Sequence, residues 1–229
     1  MKMENELIEA LRALDTPTVC NALEIVAPER RGFGFTTSHL RCARPELPPI
    51  VGYACTAVFR CVRPGSKDAV AQKCYEGQYF DYVAGTAGPK IAVFQDGDGV
   101  RARSSAIFGE IMSWMHKALG AEGLVTDGAV RDMSMMADGF QAIYGAVAPS
   151  HIWFHMTEFD CEVNIAGMVV NSGDLIHADS HGAVIIPPEY AAGVVEAAKG
   201  IAVREEKIIG LCAGDDFTVD ALKKIWGGE

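Results

Sequence analysis

No window of this sequence approaches the roughly 18 consecutive apolar residues that a membrane-spanning helix needs, so a membrane protein is not expected. The amino-terminal run MKMENELIEALRAL carries acids and lacks an apolar stretch, unlike a secretory signal. Cysteines are scattered. Cys20, Cys42, Cys55, Cys61, Cys74, Cys161 and Cys212 form no C-x-x-C pair and no dense cluster, the pattern of a reducing compartment in which thiols pack as small hydrophobes. Basic charge is in deficit, with 20 Lys and Arg against 30 Asp and Glu and a net charge of −10. That argues against non-specific nucleic-acid binding, which needs a basic surface. No repeat or low-complexity tract is present. These absences together imply a cytoplasmic protein with neither nucleic acid nor membrane as partner.

What is present describes an ordinary globular chain: 229 residues, 49% hydrophobic and 22% charged, enough for one domain with a real core. The patterning divides it into amino-terminal helices over 4–26, a core over 50–187 and carboxyl-terminal helices over 188–226. Leu7, Ile8, Leu11 and Leu14 share one helical face, and Thr16-Pro17 reads as a cap followed by proline in the first turn. Residues 27–49 read as loop, residues 50–60 as a strand and 67–84 as a helix carrying Ala69, Val70, Cys74 and Tyr75. Lys90–Phe94 reads as a buried strand that ends in QDGDG. Cys161–Val170 reads as a hairpin turning at Ala166-Gly167, and 182–187 as a strand. A helix from Pro188 and a last helix over 215–225 close the chain.

The most informative stretch is GEIMSWMHKALGAEGLVTDGAVRD, Gly109 to Asp132. Phe108, Ile111, Met112, Met115 and Leu119 are spaced for one apolar helical face. Gly120 to Gly123 punctuate the chain, Leu124-Val125-Thr126 reads as a short buried strand, and Asp127-Gly128 as a turn. Arg131 and Asp132 follow, close to the carboxyl end of a strand, where α/β folds hold ligands. A carboxylate there suits a hard divalent cation, and a guanidinium suits a carboxylate or enolate oxygen. The helix start adds backbone N–H groups for an anion. On residue types alone, the plainer reading of Arg131 and Asp132 as surface residues, or as partners of other side chains, fits better.

The spacing G-E-(20 residues)-R-D, followed by GDLIHADSHGAVIIP at 173–187, resembles the RraA-like family. The resemblance runs from Pro17 to about Pro187. It implies an α/β fold, a swivelling β/β/α-type sandwich of a single domain, assembled as a homotrimer or hexamer with sites at subunit interfaces. The family includes metal-dependent class II pyruvate aldolases that cleave 4-hydroxy-4-methyl-2-oxoglutarate and 4-carboxy-4-hydroxy-2-oxoadipate. It also includes the regulator of ribonuclease activity A and members misnamed as menaquinone methyltransferases.

Carried onto this chain, the resemblance makes Asp132 the ligand of Mg²⁺ or Mn²⁺ and Glu110 a second carboxylate acting through water, where other members carry Asp. Arg131 would hold the keto or enolate oxygen of a small 2-oxo acid, and Gly109, Ile111 and Met112 would receive its carboxylate. Glu110, Arg131 and Asp132 include no lysine for a Schiff base, and a water of lowered pKa on the metal is the expected base. Oxaloacetate decarboxylation passes through the same pyruvate enolate. A carboxyl-terminal glutamate, Glu205 or Glu206, would reach a neighbouring subunit's site. The rival readings are a different oxo acid, sugar acid or other metabolite as substrate, and a non-enzymatic ribonuclease- or helicase-binding regulator. The regulator has an amide where Asp132 stands, which favours an enzyme here.

Other features carry less. D-G-D-G is a poor nucleotide loop, which sets aside a methyltransferase, and Asp96 and Asp98 fit turn chemistry. Arg30, Arg31, Arg41 and Arg44 fit solvated or interfacial positions better than an acid-binding role. His151 and His155 are four apart, yet Pro149 before them and Trp153-Phe154 between them suit a packed or interfacial segment better than zinc. His177 and His181 straddle a strand-turn-strand, and a phosphorylated His181 is a weaker reading than a structural one.

Overall fold

A near-continuous apolar run, IVGYACTAVF, cannot tolerate solvent on either face, and the chain places it at the centre of a sheet. The computed structural model describes residues 2–227. Its main sheet has eight strands. Along it run β1 (Arg41–Cys42), β7 (Gln141–Tyr144), β5 (Ala121–Thr126), β3 (Lys90–Asp96), β2 (Ile50–Arg60), β12 (Leu175–Asp179) and β13 (Gly182–Ile185), while β9 (His155–Phe159) also pairs with β2. The run β2-β3-β5-β7 is parallel. A small parallel sheet joins β4 (Ala106–Phe108), β6 (Ala129–Val130) and β8 (Ala146–Val147). The hairpin of β10 (Val163–Ile165) and β11 (Met168–Val170) forms as its turn residues predict.

The described residues form six α-helices: α1 (Lys2–Arg12), α2 (Thr16–Val26), α3 (Ala69–Gly85), α4 (Glu110–Ala118), α5 (Ala191–Ala213) and α6 (Val219–Gly227), the last lying against α5. Tyr79 of α3 packs with Phe59, Phe94 and Phe108 in one core cluster. The β10–β11 hairpin closes a second cluster with Ile91, Val93 and Ile143. Helices α1, α2 and α5 build a third with Val51, Leu175 and Ile186. The result is the single mixed α/β domain expected from the sequence.

Four local expectations change. The cap of α2 is Asp15, whose carboxylate accepts from Thr18 N. Thr16 is buried instead: its N–H donates to Asp179 Oδ2 at 2.8 Å and its hydroxyl meets His177 Nδ1 at 3.0 Å. His177 Nε2 lies 3.2 Å and 3.0 Å from the Leu11 and Leu14 carbonyls, which fixes the proton there. Gly123 is no break; it lies inside β5, where a Cβ would come 2.5 Å from the Gln141 carbonyl oxygen. The predicted apolar face of α4 is rotated, since Ile111 is 68% exposed while Ser113 and His116 are buried. Phe108 belongs to β4 rather than to that helix. The last helix begins at Val219, with Thr218 Oγ1 accepting from Ala221 N.

Two of the arginines of 27–49 have partners, while Arg30 Nε is buried without a hydrogen-bond partner. Arg44 donates to the carbonyls of Met136, Ala137 and Phe140, and Arg31 pairs with Glu24 at 2.8 Å. Cys55 and Cys61 are buried as expected, whereas Cys74 and Cys212 are exposed.

A buried histidine and a half-buried aspartate oppose each other. His116 donates Nδ1–H to the Met112 carbonyl at 2.7 Å and accepts from the Tyr79 hydroxyl at 2.8 Å. Burial lowers its pKa to about 4. Burial raises that of Asp127 to about 6. As pH falls from 6.5 to 4 the unfolded chain takes up more protons at His116, costing about 3 kcal/mol of stability. Over nearly the same window the folded protein takes up more at Asp127, returning a similar amount. Asp127→Asn removes only the second effect, because an amide oxygen still accepts from Asp96 N. Urea unfolding should therefore show the variant losing about 3 kcal/mol more than wild type between pH 6.5 and pH 4.

Candidate functional site

The parallel strands β3 and β5 end at the same edge, and the loops beyond them are fastened by their own acids. Asp98 Oδ2 accepts from Cys61 N and Val62 N at 2.7 and 3.1 Å. The Asp96 carboxylate accepts from Asp98 N and Arg103 N, and Asp127 Oδ1 from Asp96 N. These carboxylates therefore serve turn geometry. Past Asp127-Gly128 the chain forms β6 beside β4, and Arg131 N donates to the Phe108 carbonyl at 2.9 Å. That pairing sets Arg131-Asp132 against Gly109, the residue before α4.

Contact there is close. A Cβ on Gly109 would lie 2.8 Å from Asp132 Oδ2, 3.0 Å from Arg131 Cγ and 3.2 Å from Arg131 Nε. Arg131 Nε is itself 3.3 Å from Asp132 Oδ2. Asp132 adopts φ 55°, ψ 33°, the left-handed region that costs most residues about 1–2 kcal/mol and that Asp and Asn enter most readily. Gly109 caps α4 without a side-chain acceptor, so the first N–H groups of that helix have no cap from its side chain.

A cleft of about 520 Å³ opens over this point. One wall is Ala106, Ile107, Phe108, Gly109, Met112 and Arg131; the other comes from Pro64, Gly65, Lys67, Ala69 and Gln72 and from His151–His155. Two bonds dock the second wall: Ala106 N donates to the Ser150 carbonyl at 2.8 Å, and Trp153 N to the Cys61 carbonyl at 3.0 Å.

Of the residues expected from the sequence, Gly109, Met112 and Arg131 line the cleft. Asp132 adjoins it through its contact with Gly109, while Glu110 and Ile111 open α4 without lining it. The Ile111 side chain points to solvent, so only its backbone could serve an anion. Glu205 and Glu206 are exposed on α5, in the helical layer away from this cleft. Sequence reasoning missed Lys67, Gln72, His151, Trp153 and His155 as lining residues. Their only signals were the paired histidines and aromatics of 151–155; β9 pairing with β2, a contact about 100 residues apart in sequence, brings that segment here.

The architecture is shared with known proteins. The crystal structure of Streptomyces coelicolor RraAS2, described as an unusual member of the RNase ES inhibitor RraA protein family, matches with a TM-score of 0.67 at 23% identity, covering 88% of this chain and 94% of that one. That defines the class of fold. A family model described as RraA-like, Aldolase/RraA, matches residues 16–185, and the chain belongs to that family. It is 27% identical over 198 residues to a Halalkalibacterium halodurans protein provisionally named 4-hydroxy-4-methyl-2-oxoglutarate aldolase, covering 86% of this chain and 83% of the relative. It is 33% identical over 106 residues to an uncharacterized protein of Methanocaldococcus jannaschii, a match spanning about half of that relative (51%) and 45% of this chain.

Proposed function

We propose that this protein is a divalent-metal-dependent lyase that cleaves 2-oxo acids of the 4-hydroxy-4-methyl-2-oxoglutarate type and decarboxylates oxaloacetate, both through a pyruvate enolate. The observation that carries this reading is the cleft lined by Arg131 and by Gly109 at the start of α4, with Asp132 against that glycine. The relative provisionally named as an aldolase supports it.

The donor set suits Mg²⁺ or Mn²⁺. Among the described residues no group of three or more His, Cys, Asp and Glu side chains could hold an ion. A cation here would thus rest on Asp132, on Glu110 through water, and on substrate, the habit of Mg²⁺. Bound, it would supply Lewis acidity to the keto oxygen. Arg131 would hold the charge that develops on that oxygen, where one aimed donor is worth roughly 3 kcal/mol. The N–H groups of Ile111 and Met112 would orient the substrate carboxylate. Lys117, in the same stretch, donates its ammonium to the Asp138 carbonyl and is occupied.

A homotrimer or hexamer belongs to this proposal, with Glu205 or Glu206 of one copy near the site of the next. Ile111, Trp114, Ile152 and Trp153 are large exposed apolar residues on elements framing the cleft, and a second copy would cover them.

The test is pyruvate release, coupled to lactate dehydrogenase, from oxaloacetate and from 4-hydroxy-4-methyl-2-oxoglutarate. Turnover with Mg²⁺ or Mn²⁺ and none with EDTA is expected. No turnover of either acid by folded, metal-loaded protein would overturn the assignment and favour another metabolite or a binding role.

A further inference from the structure

Away from the cleft, one guanidinium lacks a counterpart. Among the described residues, Arg30 Nε is the one buried side-chain nitrogen or oxygen without a hydrogen-bond partner. A donor left in that state is costly. None of the ion pairs among the described residues includes Arg30. Neighbouring acids are engaged elsewhere: Glu29 Oε1 accepts from the Tyr190 hydroxyl at 3.2 Å, and Glu24 pairs with Arg31.

The side chain is nonetheless held in place. Its Cζ lies 5.0 Å over the Phe33 ring, and a Cβ on Gly34 would clash with Arg30 Nη2. Gly34 takes φ 89°, which glycine enters at little cost, so the guanidinium occupies space that only glycine leaves open. The Gly34 carbonyl accepts from Ile185 N at 2.8 Å and Phe35 pairs with Val184, which fastens this loop to β13.

Arg30 and Phe33 stand between two cavities and line both. The larger measures about 330 Å³, at the small end of the range of about 300–1,000 Å³ that ligand pockets span. Val169, Ile185, Pro187 and Pro188 line it, with Asn171 and Asp174 as further polar residues. Asp174 Oδ2 accepts from Asn171 N at 2.8 Å and so closes its own turn. Phe33 is 56% exposed and Val169 47%, apolar surface without a cover. No residue is shared with the cleft over α4.

We propose that this cavity binds a small monocarboxylate with an aromatic or branched apolar body. The carboxylate pairs with Arg30, and the body lies against Phe33 and Val169. A planar guanidinium meets a carboxylate through parallel N–H bonds, which gives the orphaned Nε–H an acceptor. The body removes apolar surface from water. The site is separate from the cleft and stands whether or not the cleft acts as a lyase.

The experiment is calorimetric titration of the full chain, without added metal, using benzoate, benzyl alcohol and acetate. Benzyl alcohol keeps the ring without the charge, and acetate keeps the charge without the ring. Wild type should bind benzoate about tenfold more tightly than either, or better. Arg30→Met should weaken benzoate about tenfold or more, and Arg30→Lys, which keeps the charge but loses the planar fork, should fall between. Arg131→Met should leave the affinity within about twofold of wild type. If Arg30→Met does not fold, Arg30→Lys decides: a loss of about threefold or more upholds the site, and an unchanged affinity overturns it. Benzoate that fails to bind wild type, binds no better than its two controls, or binds Arg30→Met undiminished overturns the proposal. So does a loss in Arg131→Met in place of Arg30→Met, which would put the acid in the cleft.

Discussion

Asp132→Asn should abolish metal-dependent pyruvate release, by about a hundredfold or more, with little change in melting temperature. The separation follows from the backbone. At φ 55° Asp132 occupies a conformation that Asn also enters readily, so the amide removes charge without adding strain. The side chains of its ion pair with Arg131 are 38% and 32% exposed, and such pairs contribute about 0–1 kcal/mol to stability. Asp132→Ala is the poorer variant, because alanine in the left-handed region costs about 1–2 kcal/mol and mixes folding with function. Undiminished turnover in Asp132→Asn at saturating Mg²⁺ would remove this carboxylate from the chemistry. So would a loss of equal size with and without metal, if some activity persists in EDTA.

Gly109→Ala is expected to lower kcat by ten- to a hundredfold while costing only about 1 kcal/mol of stability. Gly109 has φ −156°, ordinary extended backbone, so alanine is conformationally allowed. The conflict lies in what its Cβ meets: side-chain atoms of Arg131 and Asp132 at 2.8 to 3.2 Å. Side chains can move where backbone cannot, so the fold should survive with the pair displaced. A shift of about 1 Å in such a pair can cost a hundredfold in rate. Gly145 supplies the contrast, since a Cβ there would clash with the Asp127 carbonyl, and Gly145→Ala should unfold the protein. Full activity in Gly109→Ala, at wild-type melting temperature, would mean that the reacting centre does not depend on the position of this pair.

Much of the fold was legible because its signals are local. The β2 run and the β10–β11 hairpin follow from apolar runs and turn residues within a dozen or so positions, whereas the residues singled out for the helix at 69–85 proved exposed at Ala69, Val70 and Cys74, with Tyr79 and Val83 buried in their place. Gly109, Met112, Arg131 and Asp132 were legible only through the family spacing, since on residue types alone a surface pair fitted better. The rotated face of α4 was not legible. Ile111 fits an apolar stripe, but the core takes Ser113 and His116 because the Tyr79 hydroxyl and the Met112 carbonyl satisfy the imidazole. Nor could Asp15 be told from Thr16 as the cap of α2, because what draws Thr16 inward is Asp179, 163 positions on. The Lys67 wall was hidden for the same reason, as its parts are joined by β2–β9 pairing and by single backbone bonds at Ser150 and Cys61.

The corner between α1 and α2 has a consequence for synthesis. Its polar groups at Leu11, Leu14 and Thr16 are satisfied by His177 and Asp179, so the first helices of the chain are completed by one of its last strands. A ribosome adding about 5–20 residues per second would leave that corner unanswered for roughly 10–30 seconds. During that interval α1 and α2 can meet Val51 of β2, but Leu175, Ile186 and the α5 residues that complete their cluster have not yet been made. The nascent chain should therefore present its amino terminus to chaperones and proteases until β12 emerges, and only then close as a unit.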